Sequence, residues 1–303
     1  MTKPLNSDAQ MSTGDTPKGF LYAFGAYAIW GGLPVYMKMT SEMPTLEVLS
    51  HRVIWSLPIA LAVLLFIGRT ADLRAALRNP RMMGMGLITA SLISVNWGLY
   101  VYAMQSGQAL QAALGYYINP LVSIMIGSVL LGERLSKLQW GAVALAAIAV
   151  LVLTIEAGRV PVLALALTGT WAAYAYFKRS LPIGPNQGFA LEAMILLPFA
   201  LGYVIWLPTT GAPSFFEHDA LNMWLLIGCG IVTAVPLMLY ANGAKLLRLS
   251  TIGIMQYFTP TLIFLTAIFA FGETFERGQM IAFPMIWTAM GIYIFSLVRN
   301  ARH

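Results

Sequence analysis

The sequence predicts an all-α membrane protein of ten transmembrane helices, arranged as two inverted five-helix repeats. Three observations predict it. The first is composition. Of 303 residues, 58% are hydrophobic and 10% are charged, where soluble domains carry roughly 25% charged residues. The second is an internal duplication. Tyr117, Pro120, Gly132, Glu133 and Gln139 recur as Tyr257, Pro260, Gly272, Glu273 and Gln279, each pair 140 residues apart. The same offset relates Tyr36 to Tyr176, Lys38 to Lys178, Pro58 to Pro198 and Tyr100 to Tyr240. So many matches without a gap argue for duplication. The third is parity. Each repeat holds five apolar runs, so the second copy enters the membrane from the opposite face, an architecture typical of secondary transporters.

Taken in order, residues 1–18 are polar and form an N-terminal tail. The first apolar run, 19–37, continues past Ala26-Tyr27-Ala28 and is as long as a span, so it reads as a retained helix rather than a signal peptide. About 20 apolar residues cross a bilayer. Further runs of that kind lie at 48–68, 83–104, 110–131 and 138–155, completing a first repeat over 19–156. The second repeat, 160–298, holds runs at 161–177, 188–207, 221–241, 250–271 and 279–298. Residues 299–303 are a second tail. The connections are short, and the longest, near 69–82 and 208–220, leave no room for a soluble domain.

The basic residues orient the chain. With both termini cytoplasmic, 14 Lys and Arg fall inside and three (Lys38, Arg159, Arg277) outside, while Arg52 lies within a helix. That bias follows the positive-inside rule for an inner-membrane protein. The net charge of +6 is then a membrane signature and not a nucleic-acid footprint. One cysteine, Cys229, excludes an intrachain disulfide, and three histidines without metal-ligand spacing provide no metal site. No phosphate-binding loop is present, so a primary pump is excluded, and no cofactor is expected. An enzyme of lipid chemistry would need clustered carboxylates or histidines at one membrane depth, and none is visible.

The stretches HRVIWS (51–56), ALGYYINPL (113–121) and GER followed by QW (132–140) are similar to the RarD group of EamA-type proteins, in the drug/metabolite transporter superfamily. The resemblance covers about 18–298. It implies a ten-helix inner-membrane carrier with inverted repeats, and it supplies no substrate. The chain departs from the family pattern at Ala175, where a glycine usually follows the tyrosine.

Ionisable groups inside spans are rare and usually face a cavity. His51, Arg52 and Glu192 are three such groups. Arg52 and Glu192 are repeat equivalents, yet inversion separates them by roughly 15 Å along the membrane normal, so they are not expected to pair. Arg52 reads as the group that attracts an anionic part of a substrate at the outer mouth. The alternative is a residue that snorkels or pairs with Glu47. Glu192 and His51 are candidates for proton coupling, Glu192 because its sequence neighbours are apolar and His51 because imidazole titrates near neutrality. For Glu192 the alternative is a gate residue near Lys178 and Arg179, and for His51 an interfacial hydrogen bond.

Asn96 and Tyr100 share a helix face and, with Trp97, suit a cavity wall. Trp30, Trp55, Tyr116, Tyr117, Trp171, Tyr174, Tyr240 and Tyr257 extend an aromatic lining, although interfacial belts are the commoner place for such residues. Pro58, Pro120, Pro198 and Pro260 occupy paired positions and suit hinges. Glu133 and Glu273 read as solvated boundary residues. The small aliphatic fifth span, 138–155, reads as peripheral, against another helix or a second protomer in a homodimer.

These features together predict an exporter or exchanger of small organic metabolites or drugs working by alternating access. A lipid carrier or flippase and a non-transporting scaffold are the other readings. A reporter fused after His303 is expected to be active only in the cytoplasm; activity confined to the periplasm would reverse the orientation.

Overall fold

A chain in hydrocarbon must satisfy its own backbone hydrogen bonds, and helices do so without partners. The computed structural model describes residues 16–131, 135–158, 160–179, 181–244, 246–247, 251 and 255–300, and the structure found there is helical throughout. In order the helices are α1 (Pro17–Met39), α2 (Thr45–Phe66), α3 (Thr70–Arg78), α4 (Pro80–Gln105), α5 (Ala109–Leu131) and α6 (Lys137–Ala157). They continue with α7 (Val162–Arg179), α8 (Pro185–Trp206), α9 (Ala220–Ala244), α10 (Phe258–Leu265) and α11 (Arg277–Asn300). Among the described residues, seven are long and apolar enough to cross a membrane: α1, α2, α4, α6, α8, α9 and α11. The predicted spans 110–131 and 161–177 coincide with α5 and α7. The predicted span 250–271 contains α10 and a π-turn, Thr266–Ala270, and begins partly outside the described residues.

One element differs from expectation. The connection 69–82 contains α3, whose Leu73 and Ala76 are buried while its arginines face out. At nine residues it is too short and too polar for a search aimed at spans.

Hydrogen bonds between loops and helix ends define two ends of the bundle. At one end the Thr16 amide donates to the Leu246 carbonyl (3.2 Å), and Gln187 Nε2 donates to Asp72 Oδ2 (3.3 Å). At the other, Gln105 Nε2 donates to the carbonyls of Thr40 and Met43 (2.9 and 3.1 Å), and His218 meets Glu47 (2.8 Å). So α1 runs from the Thr16 end to the Glu47 end, and α7 runs the other way. The same reversal relates α2 to α8 and α4 to α9.

Helices pair mainly between the two halves of the chain. α1 packs on α9 and α4 on α7; α2 on α9 and α8 on α4; α5 on α7 and α10 on α1. α2 packs on α8, α5 on α10 and α6 on α11. Exchanging the first five long helices with their counterparts leaves this pairing unchanged. The peripheral α6 meets α11 through Ala142, Ala146, Ala149 and Leu153. Large apolar side chains point away from the protein, as a lipid setting requires: Phe66 is 94% exposed and Phe269 80%.

The repeated motif proves to be structural. Its glutamine caps its own helix in both copies: Gln139 Oε1 accepts from the Ser136 amide and Gln279 Oε1 from the Glu276 amide, each at 2.9 Å. Its tyrosines, Tyr117 and Tyr257, stack on each other with ring centroids 6.5 Å apart. Glu273 is not merely a solvated boundary residue. Its two oxygens accept from the Ala109 and Leu110 amides (2.7 and 2.9 Å), so an acid of the second half caps α5 of the first. Gly272 turns the chain there with φ of 63°. Gly132, Glu133 and Arg134 lie outside the described residues, as do Lys3, Arg159, Lys245, Arg248 and Arg302 of the orientation count.

α2 and α9 approach most closely at Gly230, where a Cβ would collide with the Trp55 backbone. Gly230→Ala is therefore expected to lower stability by about 1–3 kcal/mol. Gly202→Ala in α8, where a Cβ meets nothing within 4 Å, is expected to lower it little or not at all. Thermal unfolding in detergent checks both.

Candidate functional site

Between the halves lies a cavity of about 610 Å³. Its lining runs from Arg52, about two turns into α2, to Lys178 and the first residues of α8, Pro185 and Asn186. It therefore reaches toward the Thr16 end and stops below the Glu47 end. Nine aromatic side chains line it. Tyr27, Trp30 and Tyr240 form one cluster, with centroids 5.7–6.0 Å apart. Trp171 and Tyr174 form another at 5.9 Å, and Tyr100 meets Tyr116 edge-on at 5.8 Å.

Three helices hold Arg52. The guanidinium carbon of this α2 residue lies 4.8 Å above the Trp97 ring of α4, and its Nε donates to Thr233 Oγ1 of α9 at 3.1 Å. Ring and hydroxyl offset part of the desolvation of a buried cation. Nη1 has no protein partner.

Three further buried polar atoms on lining residues are also without a partner: Asn96 Oδ1, Tyr100 OH and Asn119 Oδ1. Asn96 is locked in place, since its Nδ2 donates to the Leu167 carbonyl and to Thr170 Oγ1, both at 2.9 Å. Buried polar groups are seldom left unpaired. All four belong to residues that line the cavity.

The charged lining residues are Arg52 and Lys178. Glu192 stands behind Lys178, joined to its Nζ at 2.6 Å and accepting from Tyr174 OH at 3.3 Å. The apolar sequence around Glu192 thus misrepresents its surroundings, because α7 brings it a cation and a hydroxyl. Arg52 and Glu192 do not pair; each has its own partners.

Seven of the ten residues read as substrate-binding line this cavity: Trp30, Arg52, Asn96, Tyr100, Trp171, Tyr174 and Tyr240. Three do not. Tyr117 and Tyr257 are spent on the α5–α10 contact, where Tyr117 OH meets Thr261 Oγ1 at 2.8 Å. Trp55 faces away from the cavity, and its Nε1 donates to His51 Nδ1 at 3.1 Å. His51 is buried there against Phe215, 4.9 Å between centroids.

The prolines divide as well. Pro58, Pro120 and Pro198 lie inside helices, but Pro260 is in the first turn of α10, where its missing N–H breaks no bond of that helix. Ala175, the departure from the family pattern, lines the cavity. Asn119, Thr233 and Lys178 were not singled out as lining. Asn119 had a signal, since it and its repeat equivalent Thr259 are polar residues preceding the paired prolines, and both line the cavity. Thr233 had none, because its role depends on the α2–α9 contact.

The model of the EamA-like transporter family matches residues 17–155. Protein RarD of Streptomyces exfoliatus is 40% identical over 284 residues, covering 94% of this chain and 90% of its own. The chain belongs to the EamA-like transporter family. Protein RarD of Escherichia coli (strain K12) is 36% identical to this EamA-like protein, over 96% of this chain and 99% of that one. An uncharacterized transporter of Vibrio cholerae serotype O1 is 40% identical over 92% of each chain. A crystal structure at 20% identity shares the fold, with a TM-score of 0.61 over 97% of this chain and 100% of the other. This EamA-like chain is thus a multi-pass membrane transporter, and RarD-type relatives match it along nearly its whole length.

The Lys178–Glu192 pair is nearly buried, with side-chain exposures of 21% and 3%. Removing one partner of such a pair strands the other. Lys178→Met is expected to cost about 3 kcal/mol, and Lys178→Met with Glu192→Leu to recover most of it. Denaturation of the three proteins in detergent checks the difference.

Proposed function

We propose that this EamA-like protein is a secondary transporter of small organic metabolites in a bacterial inner membrane, an exporter or exchanger working by alternating access. The observation that carries the reading is the cavity between the halves, with its aromatic wall, its buried cation and its four unpartnered polar atoms. The opposed directions of equivalent helices support two inverted five-helix repeats. With both termini cytoplasmic, the end holding Lys178 faces the cytoplasm. The cavity then belongs to an inward-facing state, sealed on the outside.

In this reading Arg52 takes the anionic group of the substrate. Trp97 and Thr233 hold the guanidinium beside the cavity, and Asn96, Tyr100 and Asn119 accept or donate the remaining hydrogen bonds as the wall adjusts to the guest. The aromatic clusters receive the apolar part. Glu192 couples transport by exchanging Lys178 for a proton as the inner end moves.

Reconstituted vesicles and a panel of metabolites test this. Arg52→Lys is expected to keep a reduced rate for anionic substrates, because it retains charge but loses the bidentate fork, and Arg52→Gln to lose about 2 kcal/mol or more of binding. Parental transport by both variants would remove Arg52 from the site. Glu192→Gln is expected to abolish transport driven by a pH gradient while allowing exchange between equal pools.

A further inference from the structure

Among the described residues the cavity is lined by two cationic side chains, and the protein treats them unequally. Arg52 rests on the Trp97 ring and the Thr233 hydroxyl, and no carboxylate among the described residues pairs with it. Lys178 has an acid of its own. Its Nζ donates to Glu192 Oε1 at 2.6 Å and lies 5.5 Å from the Tyr174 ring centroid. The Glu192 side chain is 3% exposed and stands behind the lining, where Tyr174 OH donates to it at 3.3 Å. The α8 backbone makes room for the pair one turn before Glu192: a Cβ at Gly188 would come within 2.9 Å of Lys178 Nζ. No described residue of the lining is an aspartate or a glutamate. The charge of Lys178 is thus cancelled from behind the wall, and that of Arg52 is not.

The two cations also sit at different depths. Asn96, next to Trp97 on α4, donates to Thr170 Oγ1 of α7 at 2.9 Å, which puts Arg52 near the level of Thr170. Lys178 lies two turns further on, roughly 12 Å along α7.

We propose that Glu192 determines the charge class of the guest: by cancelling Lys178 it leaves Arg52 to hold the guest's anionic group and selects organic monoanions over dianions. The assignment rests on the reading that Arg52 takes an anionic group, and it names the substrate class of that same site. A single anionic head finds Arg52, and its apolar body finds the rings. A second carboxylate at the far end of such a guest reaches Lys178 and finds it taken. It then leaves water without a partner, or it displaces Glu192, which becomes the buried charge left unpaired. Without Glu192 the same position accepts it, because ammonium and carboxylate form a charge-assisted hydrogen bond.

Biphenyl para-carboxylate and biphenyl para,para′-dicarboxylate test this, since they share one rigid aromatic body and differ by one charge. Their affinities for the purified full chain in detergent are measured by calorimetric titration against a protein-free blank. The parent is expected to bind the monoacid about tenfold or more tighter. Glu192→Gln is expected to move the ratio of the two affinities about tenfold or more toward the diacid. Lys178→Arg with Glu192→Gln is expected to move it as far, because its guanidinium stays charged when buried. Lys178→Met with Glu192→Leu, which removes both charges, is expected to prefer the monoacid still. Equal binding of the two probes by the parent, or a parental ratio in Lys178→Arg with Glu192→Gln, overturns the proposal. So does a preference for the diacid in Lys178→Met with Glu192→Leu. Those outcomes leave the anion reading standing where Arg52→Gln weakens both probes. Parental affinities in Arg52→Gln, or a parent that binds neither probe, remove that reading and this assignment with it.

Discussion

Each half of this protein packs chiefly against the other half, and the rest of the structure depends on that interlock. In lipid the helices gain nothing from leaving water, so association rests on close packing and on polar contacts between helices. Both kinds run between the halves. Gly230 lets the α2 and α9 backbones touch, Tyr117 stacks on Tyr257, and Glu273 caps α5 from across the molecule. Neither repeat is a self-contained packing unit, although each is a unit of sequence. The cavity follows from the same arrangement. It is the space the two halves leave between them.

Buried charge is managed differently at each level of the bundle. At the Glu47 end an acid meets a histidine under an aromatic cover. Deeper, Arg52 lies on an indole face and keeps a donor free. Toward the Thr16 end Lys178 and Glu192 neutralise each other. Arg52 and Glu192 stand at equivalent positions of the sequence repeat with opposite charge, and each has its own partners. The halves are therefore alike in packing and unlike in electrostatics. That difference leaves Arg52 on the cavity lining, held by Trp97 and Thr233.

The residues that announced the duplication are largely not those that shape the cavity. The tyrosine, the glutamine and Glu273 of the repeated motif are occupied with stacking and capping. Duplication preserves what both halves need, and both need the same caps. The cavity draws also on residues in which the halves differ, such as Arg52, Asn96 and Thr233. Composition and helical spacing pointed to Asn96 and Tyr100, because two polar groups on one face of an apolar helix have few other uses. They put Trp55 in the lining too, where the structure does not place it, because its indole is taken by a histidine one turn earlier on its own helix.

The sequence by itself determined the membrane class, the helical fold and the internal repeat, together with most of the cavity-lining aromatic residues. These depend on hydropathy, length and spacing, which are local properties of the chain. Only the tertiary structure decided which ionisable groups pair. Glu192 looked isolated until α7 brought Lys178 and Tyr174 to it, and Glu47 looked like a spare partner for Arg52 until the α8–α9 connection delivered His218. The partners are 14 and 171 residues apart along the chain. A charge is set by what lies within a few ångströms in space, and the order of residues along an apolar helix does not record which neighbour arrives from elsewhere.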